Sequence, residues 1–325
     1  MTKQRGLWVA ILLIFVLAMT IWHVWNTESK FDSVWKNWSP EGKSANFKIL
    51  KRHKLLIKQG AKTTLLIAAT SDLHGTLTST RMLPRPRPRG LLHLVQKVRQ
   101  LRANNPELIL LDAGDTIQGD PSSFYFSHIV QEKHRPLPII DVMNRLKYDA
   151  IALGNHDFEP PVSVLKQNIA QSNFSWLAAN VRFQNAKQPL FPPYKILIRN
   201  GVRVGVLGLI TPGVPLWIDP EQRKGLIFDE MLETAKYWVK VLREEENIDF
   251  LIGLFHSGDN TRYDQDVASA RDLPYPNAAG MIADYLPVFD LIISGHANRI
   301  SPKRLTQKLK VHQTPLCLPE LLRKD

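Results

Sequence analysis

Cysteine is nearly absent. Cys317 is the only one in 325 residues, which excludes an intrachain disulfide and leaves the compartment open. There is no internal repeat, and no nucleic-acid reader motif accompanies the scattered basic residues. Acidic residues are in short supply, 30 against 42 Lys and Arg, for a formal charge of +12. Such a balance favours anionic partners, whether phosphate esters, nucleotides, nucleic acid or anionic lipid, without choosing among them. The remaining composition, 44% hydrophobic and 22% charged, is that of a globular protein with a real core. The length allows one large domain or two small ones.

Long apolar runs are also lacking, with one exception. After the basic residues 1–6, "LWVAILLIFVLAMTIWHVW" covers 7–25. A spanning helix needs roughly 20 mostly apolar residues, so this run is just long enough. Its exit, "TIWHVWNTESK", has no A-x-A-like cleavage site, which favours a transmembrane anchor over a signal segment; its place at the extreme N-terminus argues against a buried core helix. Lys3 and Arg5 favour a cytoplasmic N-terminus. That would place the rest on the periplasmic or extracellular side of a bacterial-type inner membrane. The flank after the run mixes Lys30, Lys36 and Lys43 with Glu28, Asp32 and Glu41, so charge alone does not fix the orientation. Residues 26–62 read as a linker with room for a short strand at "FKILKR". Residues 63–325 read as the folded domain.

Within that domain, short runs rich in Ile, Leu, Val and Ala alternate with amphipathic stretches. "TTLLIAATSDLHG", "ELILLDAGD", "YDAIALGNHD", "RVGVLGLIT", "DFLIGLFHSG" and "FDLIISGHAN" are strand-like; "GLLHLVQKVRQLRANN" and "FDEMLETAKYWVKVLREEEN" are helix-like. The alternation predicts an α/β domain with buried sheets. "RMLPRPRPRG" (81–90) can be neither helix nor central strand. It reads as a solvated, semi-rigid loop, with a phosphate-attracting lip as the alternative.

Polar ligand-type residues recur where the apolar runs end. Asp72 and His74 follow the first, Asp115 the second, Asn155 and His156 the third, His256 another, and His296 and Asn298 the last. One Asp or His there would be an ordinary cap or turn residue. Five such endings point to one site, because ligands in open α/β sheets bind at the carboxyl ends of strands. Asp72/His74 and His296/Asn298 are each two apart, which in extended chain puts both side chains on one side. Carboxylate, imidazole and amide oxygen together suit Zn, Mn or Fe rather than a thiolate-loving ion.

"SDLHG", "GDTIQGD", "GNHDF", "FHSG" and "SGHAN" stand in the order and approximate spacing of the calcineurin-like metallophosphoesterases. The chain resembles their 5′-nucleotidase group over about Thr64 to Arg299. "KQPLFPPYKIL" and "VGVLGLITPGVPLWI" are similar to the 2′,3′-cyclic-nucleotide 2′-phosphodiesterase/3′-nucleotidase branch.

The resemblance implies an α/β sandwich of two mixed β-sheets flanked by helices, holding two divalent metal ions. Asp72, His74 and Asp115 would serve the first ion, with Asn298 completing it. Asp115 would bridge to a second ion that also takes Asn155, His256 and His296. His156 would stabilise phosphoryl charge or protonate the leaving oxygen. Glu159 would orient its ring, Asp157 being either a turn residue or the true partner. Asn180 would touch phosphate or serve a structural turn. The implied activity is hydrolysis of nucleotide phosphomonoesters or 2′,3′-cyclic nucleotides by metal-activated water.

Asn298 stands where the cyclic-phosphodiesterase branch tends to have His. The family's C-terminal substrate domain is not expected in this sequence, whose tail "KLKVHQTPLCLPELLRKD" differs from the family's closing strands. A catalytically weak or inactive membrane-anchored remnant, or an interaction protein of the same fold, is therefore the alternative.

Overall fold

The structure is a computed structural model that describes residues 48–56, 62–78, 90–130, 136–160, 162–258, 269, 272–297 and 311–313. The apolar run 7–25, the Pro-Arg segment 81–89 and Asn298 lie outside the described residues. Among the described residues, no helix is long and apolar enough to cross a membrane.

Two five-stranded sheets form the framework. The first has the order β1 (Lys48–Leu56), β2 (Lys62–Thr70), β3 (Ile109–Asp112), β4 (Ala150–Ala152) and β5 (Ser175–Leu177). Its β1 is antiparallel to β2 and all other pairs are parallel. The second contains β7 (Tyr194–Arg199), β8 (Val202–Ile210), β10 (Phe250–His256), β11 (Leu291–Ser294) and β12 (Val311–Gln313), in the order β12-β11-β10-β8-β7. Only β7 runs against its neighbour. Both sheets are therefore mixed. A small ribbon pairs β6 (Val181–Phe183) with β9 (Leu226–Phe228). β1 falls within the stretch read as a linker and is nine residues long, longer than the short strand anticipated there.

Strand periodicity explains the layering. Leu65, Ile67 and Ala69 of β2 alternate, as do Ile109 and Leu111 of β3 and Phe250, Ile252 and Leu254 of β10. These positions, with Val202, Val204 and Val206 of β8, form one core between the two sheets. The opposite face of the second sheet, through Leu207, Leu209, Leu251 and Phe255, meets α6 (Met231–Lys240) and α7 (Ala279–Tyr285). Such strands are buried on both faces, hence their nearly continuous apolar character.

On the first sheet, α1 (Leu92–Asn104) and α3 (Pro138–Leu146) are the crossovers between parallel strands, and they bury Leu94, Val98, Ile140 and Met143. The inner face is already occupied by the second sheet, so they cover the outer one. The remaining helices are the short α2 (Pro121–Phe124), α4 (Val162–Ala170) and α5 (Val214–Trp217).

Parallel pairing has one decisive consequence. β2, β3 and β4 end at the same edge, and β8, β10 and β11 do likewise in the facing sheet. The segments after these ends carry the ligand-type residues.

Candidate metal centre

Asp115 lies where the two sheets' edges converge. Its carboxylate and backbone fit so closely under Gly154 that a Cβ at Gly154 would lie 2.2 Å from Asp115 Oδ1. Asp115 Oδ1 accepts the N–H of His156 at 2.9 Å, and Asp115 Oδ2 is 3.2 Å from His256 Nε2. Two groups of ligand atoms form around it, each within 4.8 Å: His74, Asp115 and His156, and Asp115, His256 and His296. Asp115 belongs to both.

Asp72 belongs to neither. Its carboxylate accepts the Ser71 hydroxyl and, at 3.2 Å, the backbone N–H of His296. Asn155 lies beside the second group, with its Oδ1 3.1 Å from His256 Nε2.

Hydrogen bonds set the tautomers. His74 Nδ1 is 3.0 Å from the Gln118 carbonyl oxygen, and His256 Nδ1 is 2.8 Å from that of Ala113. A carbonyl oxygen can only accept, so both Nδ1 atoms carry hydrogen and both Nε2 atoms remain for another partner. At His256 that lone pair faces two oxygens, Asn155 Oδ1 and Asp115 Oδ2. Three electron-rich atoms converge, and only a proton or a cation relieves them. The donor set of carboxylate, amide oxygen and imidazole thus fits a divalent ion.

The electrostatics agree. Burial alone would depress the His256 imidazole, but the Asp115 carboxylate, with Asp72 and the Ala113 carbonyl, outweighs it and pushes the group up to about 9. Burial would likewise raise Asp115, yet His256 and the other imidazoles hold it well below the usual carboxylate range. Burial, then the His256 charge, lowers His296 to about 3 and keeps it a neutral donor. Burial raises Asp72.

The backbone corrects one part of the sequence reading. Of the paired residues, Asp72, His74 and His296 are not in extended strand. Asp72, His74, Asp115 and His296 have φ of 53, 49, 54 and 76°, all left-handed. β2 and β11 stop at Thr70 and Ser294, and tight turns, not strand pleat, aim the side chains. Non-glycine residues rarely adopt this conformation, and such strain concentrates at functional sites.

His156 Nδ1 is 2.5 Å from Glu159 Oε1, and this hydrogen bond is the main cause of its raised pKa. Asp157 is not the ring's partner. Fully buried, it accepts the N–H of Thr116 at 3.0 Å, Ile117 at 2.9 Å and Gly154 at 2.9 Å. It therefore ties the Asp115 loop to the Asn155 loop.

Asn180 is also structural. Its Nδ2 donates to the carbonyls of Ile210 and Asp229, its Oδ1 accepts the Ile210 N–H, and it is 1% exposed. No face of its amide is left for phosphate.

One residue escapes the sequence reading. Asp112, at the end of β3, accepts the Thr70 hydroxyl at 2.5 Å, the Thr116 hydroxyl at 2.7 Å and the Gly114 N–H at 3.0 Å. Tyr148 extends the network to Thr70. "LLDAGD" offers two acids of equal standing, and the strand-end pattern picks out only the second.

Burial raises Asp112 from 3.8 to about 6. A folded value above the unfolded one contributes stability below about pH 3.8 that is lost as pH rises through about 6. At neutral pH the ionised group therefore carries a cost on the order of 3 kcal/mol. Asp112→Asn lacks that titration and can keep the network, its amide donating to Thr70, whose hydroxyl turns to Tyr148. Relative to wild type, the chelator-treated variant should gain about 2–3 kcal/mol between pH 4 and 7.5 in urea melts. A pH-independent difference would contradict this.

Two mixed sheets packed face to face, with imidazoles and carboxylates gathered at their strand ends, define a metallohydrolase-type sandwich. The family model for calcineurin-like phosphoesterase matches residues 65–298, and the chain belongs to that family. It is 27% identical over 263 residues to a 2′,3′-cyclic-nucleotide 2′-phosphodiesterase/3′-nucleotidase of Haemophilus influenzae, covering 77% of this chain and 38% of that protein. It is 34% identical over 211 residues to Protein UshA of Yersinia enterocolitica, covering 63% and 35%. The chain thus spans under two fifths of the length of these relatives. Among solved structures, the calcineurin-like phosphoesterase YfkN of Bacillus subtilis superposes with TM-score 0.64 at 26% identity, covering 77% of this chain and 80% of that one. A 5′-nucleotidase precursor of Thermus thermophilus gives 0.56 at 25%, covering 77% and 48%.

Proposed function

We propose that this chain is a dinuclear-metal phosphoesterase acting on nucleotide phosphomonoesters or 2′,3′-cyclic nucleotides. The observation that carries the reading is the Asp115 carboxylate shared by two imidazole-bearing groups. The names of the relatives support the substrate class.

His74 Nε2, Asp115 and Asp72 would hold one ion, with Asn298 as a further ligand. Asp115, Asn155, His256 and His296 would hold the other. Zn, Mn or Fe suits these donors. Two bound ions would supply surplus positive charge for phosphate, Lewis acidity at its oxygens and acidification of a water.

The chain's own residues do the rest. Carbonyls of Gln118 and Ala113 hold two imidazoles in the Nδ1–H tautomer, with the lone pair on Nε2. Glu159 holds His156 Nδ1–H, leaving His156 Nε2 to carry a proton to the leaving oxygen. The proposal extends to residues 7–25 as a membrane anchor or signal segment and to the two-sheet domain, which takes in β1 from Lys48 as well as residues 63–325, as the catalytic part on the periplasmic or extracellular side. The apolar run after Lys3 and Arg5 supports that part.

The purified chain with Mn or Zn should hydrolyse bis-p-nitrophenyl phosphate and 3′-AMP. No bound metal, and no activity after metal addition, would sink the proposal.

The role of His156 has its own test, because its ring also lies in the His74–Asp115 group. Replacing it with Ala should slow 3′-AMP hydrolysis about 10²–10⁴-fold. p-Nitrophenyl esters, whose leaving group needs no proton, should suffer far less. Glu159→Gln should show the same contrast on a smaller scale. Loss of one metal equivalent in the Ala variant would instead make His156 a ligand.

A further inference from the structure

His74 and His256 are each oriented by a backbone carbonyl. Among the described residues, no hydrogen bond reaches the ring of His296. Its backbone N–H is held by Asp72 Oδ1, and its φ of 76° is that of a strained turn. Among the described residues, ring packing is what touches the imidazole. The Trp217 indole lies on one side, with centroids 5.0 Å apart and planes at 54°. The His256 imidazole also approaches it, with centroids 5.1 Å apart and planes at 63°.

We infer that Trp217 is a positioning residue for His296, doing by ring contact what the carbonyls of Gln118 and Ala113 do for the other two imidazoles. The inference rests on the proposed metal role of His296.

The indole is itself well held. Trp217 ends α5, whose first turn is closed by bonds from Leu216 N to the Gly213 carbonyl and from Ile218 N to that of Val214. The loop before it is tied to the site. Thr211 N–H donates to the His256 carbonyl at 2.8 Å, the Thr211 hydroxyl donates to the Pro276 carbonyl, and Gly213 N–H donates to that hydroxyl. The indole also packs so closely on Gly213 that a Cβ there would lie 2.8 Å from its ring. The loop therefore presents the indole from the same chain segment that grips the His256 backbone.

Co²⁺ alone is the probe. In chelator-treated wild type, Co²⁺ should bind at two equivalents and quench part of the fluorescence of the eight tryptophans. Trp217→Ala should weaken one equivalent about 10–100-fold, the range seen when a partner that orients a ligand is lost. The other equivalent should stay within about twofold. Trp217→Phe keeps a ring on His296; it should bind both equivalents nearly normally yet lose most of the quench. A merely structural tryptophan would lower the melting temperature and leave the two affinities in proportion. Wild-type affinities for both equivalents in the Ala variant, or an undiminished quench in the Phe variant, would overturn the inference while leaving the metal site standing. Wild type that binds no Co²⁺ would overturn both.

Discussion

Asp115→Asn should abolish turnover and strip the protein of metal. The change preserves shape and one carbonyl oxygen, so the bond from His156 N–H to Oδ1 can persist. It removes the one negative charge common to both ligand groups. Loss of a residue that merely orients a ligand costs about 10–100-fold in metal affinity or activity. Asp115 would serve two ions directly, so hydrolysis of bis-p-nitrophenyl phosphate should fall by more than ~10³-fold, beyond that range. Metal content, read by elemental analysis, should fall for both equivalents together. The pKa of His256 should then fall, because the carboxylate that most opposes its burial is gone. A variant that keeps two ions and activity within about tenfold of wild type would remove Asp115 from the centre of the site.

The largest effect on folding is expected at Asp157. No part of its side chain reaches solvent, and it accepts three backbone N–H groups from two different loops. Asp157→Ala leaves all three donors buried without that partner. Each unsatisfied donor costs about 1–3 kcal/mol, partly recovered if water enters the space. The three donors alone set a loss of roughly 3–5 kcal/mol in urea unfolding of metal-free protein. Burial and the Asp115 charge push the Asp157 carboxyl up to about 7, so the full loss is expected at about pH 4 and part of it is offset as pH rises towards 7. Asp157→Asn is a poor rescue, because its amide would turn an N–H₂ group toward one of the same donors. Metal affinity should also fall, since the two loops that meet through Asp157 carry Asp115 and Asn155. A stability change under about 1 kcal/mol would mean the loops are held by other contacts.

Much of the site is legible in the chain alone. Strand-like runs ending in Asp, His or Asn are visible because a buried parallel strand must be apolar along its length, so a polar residue at its end stands out. Glu159 is reachable as well, three residues from His156. The Asp157 role is not. A carboxylate that caps backbone N–H groups looks in sequence like any acid in a turn, and its three donors come from positions 116, 117 and 154. The same holds for Asn180, whose partners at 210 and 229 are distant in the chain. Asp112 shows the limit most plainly. Three residues before Asp115, it has the same chemistry but faces Thr70, Thr116 and Gly114, and nothing local says which acid turns toward the centre.

The sequence by itself determined most of the strands and helices, the apolar runs that strands buried on both faces require, and the residue types that a metal centre needs. These follow from local periodicity and from side-chain chemistry, which depend on neighbours in the chain. Tertiary structure alone decided that left-handed turns would aim Asp72, His74, Asp115 and His296, that Asp157 would tie two loops together, and that Trp217 would lie on His296. Each of these depends on two sheets meeting face to face, which brings residues more than 140 positions apart, such as Ala113 and His256, within 2.8 Å. Pattern along a chain records which face a residue must hide, but only packing sets what it meets there.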